Sequence, residues 1–158
     1  MRLALPVIAA ACLAVMAAAP APRLATVGDL TLAYDPALWS VEKSAPGRWR
    51  AEPVEEGGQG VVIDTNYGGP CSEEAMAARA ATRPGFHGRR RTLTLPSGLT
   101  AHLAFGATGC RNATAAPMAA CVVHAGTTHL FETVPMGCRG HPYGDARADE
   151  LLQGLRPR

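Results

Sequence analysis

Thr92-Leu-Thr-Leu-Pro-Ser-Gly-Leu-Thr-Ala-His-Leu-Ala-Phe105 reads as a β-hairpin. Leu93 and Leu95 alternate with threonines, Pro96-Ser97-Gly98 supplies the turn, and Leu99, Ala101, Leu103 and Phe105 line the returning strand. Alternation at period two is the signature of a sheet with one buried face. Proline and glycine between the runs mark the reversal.

Toward the N-terminus, Pro84 closes an alanine-rich segment that begins at Glu73. Ser72 is a good N-cap, and Glu73 and Glu74 sit where the helix dipole favours acid. A helix is expected over Glu73–Arg83, with Met76 its single large apolar residue, so it should lie close against a sheet. Before it, Asn66-Tyr67-Gly68-Gly69-Pro70 breaks the chain, and Val61-Val62-Ile63 suggests a strand buried on both faces. Further strand signals fall at Leu30–Tyr34, at Trp39–Val41 and around Trp49, with turns at Asp35-Pro36 and Ser44–Gly47. Residues 20–27 read as an extended leader.

Toward the C-terminus, Cys121-Val122-Val123 and Leu130-Phe131 predict a hairpin turning at Ala125–Thr128. Ala148, Leu151, Leu152 and Leu155 then form the i, i+3, i+4, i+7 stripe of an amphipathic helix, with Asp145 as its cap. Strands, a helix, more strands and a terminal helix make the expected class α+β. The expectation is a mostly antiparallel sheet with one mid-chain helix and one C-terminal helix packed on it.

Residues 1–19, MRLALPVIAAACLAVMAAA, carry one charge, Arg2, followed by an apolar run ending in small residues. That is the pattern of a signal peptide, with cuts expected after Ala17 or Ala19. Cys12 offers a lipidation site as the alternative. The remaining residues 20–158 form one expected domain. The full chain of 158 residues is 47% hydrophobic with a net charge of +2. Without the first 19 residues the apolar share drops to about 41%, close to that of ordinary soluble domains. Near-neutral charge argues against a nucleic-acid partner. After signal cleavage no integral membrane segment is expected. Fourteen of the fifteen cationic residues are arginine, with abundant Ala, Gly and Pro, a bias that suggests a bacterial source and hence a periplasmic or secreted location.

With Cys12 removed, Cys71, Cys110, Cys121 and Cys138 remain, an even number in an exported chain. Three connectivities are open. Cys110 and Cys121 flank a turn-like segment, which favours Cys110–Cys121 and leaves Cys71–Cys138. The spacings match no familiar zinc pattern.

Three histidines are candidate metal ligands. His124 and His129 flank the expected Ala125–Thr128 turn, and His102 lies on the preceding hairpin. If these strands adjoin in register, the three imidazoles gather on one face suited to Cu or Zn, with Met118 or Met136 extending the set toward Cu(I). Arg79, Arg83, Arg89 and Arg91, with Arg90 between, are candidate contacts for an anionic ligand or acidic partner. Their alternative role is to guard an edge strand, since Arg89–Arg91 alternate faces when extended. Glu132 and Asp64 are the carboxylates that an unrecognised hydrolase would use. No nucleophile elbow, zincin motif or phosphate-binding glycine loop is present, and no cofactor is implied.

The opening Leu30-Thr-Leu-Ala-Tyr34-Asp-Pro36-Ala-Leu-Trp39-Ser-Val41 and the closing Leu151-Leu152-Gln153-Gly154-Leu155 resemble PsbP/Mog1-like proteins, which include exported bacterial members. Because that group consists mostly of accessory or binding domains, the resemblance implies a non-catalytic module without an active site. Its partner would be an envelope protein or a small ligand.

Overall fold

Ala125 and Gly126 both take positive φ, 46° and 80°. Two such residues in succession make the tight turn whose twist suits a two-residue hairpin. The turn therefore spans Ala125-Gly126 rather than Ala125–Thr128, and the strands on either side run longer than their apolar residues suggest. A computed structural model of the protein describes residues 21–55, 59–81, 89–105, 118–134 and 144–158, with backbone alone at 144–148. The expected signal peptide, His87, Arg83, Cys110, Met136, Cys138 and His141 lie outside the described residues.

Among the described residues ten strands and two helices follow in order: β1 (Arg23–Val27), β2 (Leu30–Tyr34), β3 (Trp39–Ala45), β4 (Arg48–Pro53), β5 (Val61–Asp64), α1 (Glu73–Ala81), β6 (Arg89–Thr94), β7 (Thr100–Phe105), β8 (Met118–His124), β9 (Thr127–Thr133), α2 (Gly144–Gln153) and β10 (Leu155–Pro157). They build two antiparallel sheets, one of order β1-β2-β10 and one of order β3-β4-β5-β9-β8-β7-β6. The class is α+β as the alternation predicts, with two sheets in place of one. Both additional strands sit at sheet edges and carry little pattern. β1 buries one residue of five, and β10 is three residues long.

Strand pairing assigns every side chain of the large sheet to a face, because residues directly opposite share one. On one face Ala104, Ala119, Cys121 and Leu130 meet Met76, Ala77 and Ala80 of α1. The small residues on both sides let α1 lie close over β6, β7 and β8. The other face presents Ile63, Ala101, Leu103, Ala120, Val122 and Phe131 to Val27, Leu30 and Leu32 of the small sheet and to Leu151, Leu152 and Leu155. This second layer is the main core. Leu155 belongs to β10 rather than to the helix, so the expected stripe on α2 spans a helix and the strand that follows it.

Candidate functional site

The cysteines pair differently from the expectation. Cys71 is bonded to Cys121, with Cα atoms 5.6 Å apart. The reason is the register of β8. That strand already begins at Met118, so Cys121 sits inside it, opposite His102 on β7 and Leu130 on β9, rather than at the mouth of a hairpin. Its side chain is on the α1 face, where Cys71 arrives just before the helix. Ser72 caps α1 by accepting the Ala75 N–H at 3.1 Å. The bridge thus anchors the start of α1 to the middle of the sheet. The pairings Cys110–Cys121 and Cys71–Cys138 are both replaced by this one.

The histidines do not converge. His102 pairs with Cys121 and faces α1, whereas His129 pairs with Val122 and faces the small sheet. The two-residue turn sets His124 opposite Thr127 rather than opposite His129, yet on the same face as His129, so two of the three imidazoles share a face and His102 does not. Among the described residues no group of three or more metal-ligating side chains assembles. Met118 is buried in the main core. His102 instead joins a polar chain that ties α1 to β6 and β7. The Thr92 hydroxyl donates to Glu73 Oε1 at 2.5 Å and lies 2.9 Å from His102 Nδ1. A hydroxyl has one proton, so Nδ1 of His102 is the donor in the second bond.

His129 is fully buried and stands 2.5 Å from Asp29 Oδ1 through Nε2. The pair lacks hydrogen-bond alignment, and Nδ1 has no partner among the described residues. Gly28, at φ +67°, lets the β1–β2 turn press onto the ring, since a Cβ there would lie 3.1 Å from His129 Cε1 and from Thr65. Burial lowers the proton affinity of His129 below that of a free imidazole, Asp29 opposes that shift, and His124 adds to it. The unfolded chain therefore binds more protons below about pH 6.5, and stability falls as the pH drops through and below that value. Above it the contribution of neutral His129 is complete. Denaturant midpoints at pH 7.5 and pH 5 should show a larger loss for the wild type than for His129→Gln, and equal losses would refute the assignment.

The arginines are divided as well. Arg79 on α1 forms a two-pronged ion pair with Glu132, at 2.7 and 2.8 Å, and lies over the Tyr67 ring. The Glu132 carboxylate keeps the Arg79 proton affinity above the usual guanidinium value. Arg90 faces the same side and approaches Glu74 at 3.8 Å. Arg89 and Arg91 face the opposite side, where Arg91 pairs with Asp149 of α2 and packs over Phe105. The expected patch of Arg79, Arg89 and Arg91 is thus split between two faces of the sheet, because alternate residues of β6 point opposite ways. Glu132 is committed to Arg79, and Asp64 accepts the Asn66 backbone N–H at 2.9 Å, so these carboxylates serve the fold.

A different region forms a site. Where β2 ends and α2 passes over it, Ala33, Tyr34, Asp35, Leu38, Trp39, Glu150 and Leu151 enclose a cleft of about 170 Å³. Sequence reasoning names Tyr34, Asp35 and Trp39 as turn and strand signals and passes over their convergence with α2. The turn is rigid. Asp35 Oδ1 accepts the Ala37 N–H at 2.8 Å, and the Asp35 carbonyl accepts from Leu38 and Trp39 at 3.1 and 2.9 Å. Gly154 sets the opposite wall. Its carbonyl accepts the Ala33 N–H at 2.9 Å, and a Cβ on it would stand 1.9 Å from the Ala33 carbonyl oxygen. Trp39 is 3% exposed, and its indole N–H has no acceptor among the described residues. The cleft therefore combines aliphatic walls, two aromatic rings, two carboxylates and one unpaired donor in a wall residue.

No protein-family model matches the chain, and no curated protein matches it in sequence. Among solved structures the chain is similar to cyanobacterial PsbP (CyanoP) from Synechocystis sp. PCC 6803. The alignment covers 94% of this chain and 98% of that one, with 11% identity and a TM-score of 0.52. The likeness is one of fold, and it agrees with the resemblance carried by the opening and closing segments.

Proposed function

We propose that this protein is a non-catalytic binding or accessory module of the bacterial cell envelope, exported by residues 1–19 and working as a domain over residues 20–158. The observation that carries this reading is the cleft between the β2–β3 turn and α2, an open recess with mixed apolar and charged walls held on a rigid frame. The PsbP-like fold supports it, since the family resemblance implies accessory and binding roles. A disulfide fits an oxidising compartment. Among the described residues no helix is long and apolar enough to cross a membrane.

Two measurements test the reading together. Fractionation of the native host should recover a chain beginning after Ala17 or Ala19 in the periplasm or medium. A photo-crosslinking residue at Ala37, exposed in the β2–β3 turn beside the cleft, should give a discrete adduct there, whereas one at exposed Ser40, on the far face of the large sheet, should give none. A full-length cytoplasmic chain, or equal labelling from both positions, would overturn the proposal.

A further inference from the structure

We infer that the cleft is a receptor for a single alkyl-cation side chain, arginine or lysine, presented by a partner polypeptide. The inference rests on the binding-module reading above and specifies the chemistry of what is bound.

Size comes first. Small-molecule sites commonly enclose about 300–1,000 Å³. At about 170 Å³ this recess is below that range and suits one long side chain. The walls then select which side chain. Ala33, Leu38 and Leu151 offer aliphatic surface to a methylene stem. Tyr34, which is partly exposed, offers ring surface, which attracts a cation within about 6 Å of its centroid. Asp35 and Glu150 provide negative charge, with no cation among the described residues that line the cleft. An anionic group is repelled by both carboxylates. A purely apolar group would strip water from them without compensation. A stem with a cationic end satisfies both kinds of wall.

Asp35 is preorganised for this task. Its carboxylate is held by the Ala37 N–H, so one acceptor is fixed in place before anything binds. Glu150 lies on an exposed part of α2 and can adjust to either a guanidinium or an ammonium. By contrast, Arg79 with Glu132 and Arg91 with Asp149 are already paired.

The test is a titration of the mature, oxidised protein followed by amide and indole NMR shifts. The probes are N-acetyl-arginine methylamide, its lysine counterpart, the neutral norleucine counterpart and the glutamate counterpart. The arginine and lysine probes should saturate shifts confined to Tyr34–Trp39 and Glu150–Leu151, with Kd in the range of about 1–10 mM expected for so few atoms. The norleucine and glutamate probes should bind at least about tenfold more weakly, the difference of one charge-assisted contact. Asp35→Asn should weaken the arginine probe about tenfold and make the residual binding less sensitive to salt. Asp35→Asn keeps an amide oxygen to accept the Ala37 N–H and so removes the charge alone, and Glu150→Gln serves as the second variant, exposed and outside the turn. Norleucine binding as tightly as arginine, or shifts outside the cleft, overturns the inference. If the Ala37 crosslink forms while norleucine equals arginine, the cation preference alone fails. If the arginine probe binds at the cleft and no crosslink forms in the host, the envelope-module reading fails instead.

Discussion

The double variant Cys71→Ala/Cys121→Ala is expected to melt about 8–16 °C below the wild type. The bridge closes a loop of 50 residues. Chain-entropy arguments give a bridge of that span about 4 kcal/mol, an upper value that strain or residual structure reduces. For a chain of this length each kcal/mol moves the melting point by about 2–4 °C. The loss should not be uniform. α1 buries Met76 and two alanines and no other large apolar side chain, so its packing alone is weak. Its remaining ties include the Arg79–Glu132 pair, the Glu73–Thr92–His102 chain and the approach of Arg90 to Glu74. Hydrogen exchange should therefore accelerate first in α1, with β5 and β9 nearly unchanged. Peptide mapping without reductant should recover Cys71 linked to Cys121. A Cys110–Cys121 fragment, or a variant as stable as the wild type, would refute the connectivity.

The second large effect is expected from Gly154→Ala. A methyl at this position would sit 1.9 Å from a backbone oxygen of β2, and backbone cannot rotate aside as a side chain can. Either the Ala33–Gly154 hydrogen bond breaks or α2 lifts from β2. Overpacking of this kind costs about 1–3 kcal/mol and occasionally more, and here the upper end is expected, lowering the melting point by about 6–12 °C. The comparison is Gly98→Ala. Gly98 has φ +84° with no atom near its missing Cβ, so its replacement costs backbone strain alone, about 1–2 kcal/mol. Gly154→Ala should be worse by melting temperature. It should also abolish binding of the arginine probe, because Glu150 and Leu151 move with the helix end. If the two variants are equally stable, close approach is not what Gly154 provides.

Much of the fold is legible along the chain because its signals are local. The alternation in Thr92–Phe105, the Ser72 cap ahead of two acidic residues, and the leucines at 151, 152 and 155 each act within a few positions. Each appears in the structure as a strand, a helix start and a buried stripe. β1 and β10 escape because edge strands bury few side chains and so need little pattern. The hairpin at Ala125-Gly126 shows how narrow the margin is. A turn of two residues rather than four changes the partner of every residue on β8, and with it the relation of His124 to His129.

The sequence by itself determined the class of element in most segments and the capping of α1. Only the tertiary structure decided which cysteines meet, which faces His102 and His129 take, how the arginines divide and where the cleft lies. The physical reason is distance along the chain. Periodicity and capping are set by neighbours in sequence, whereas Cys71 reaches Cys121 and Asp35 reaches Glu150 only after strands far apart in the chain have paired in one register.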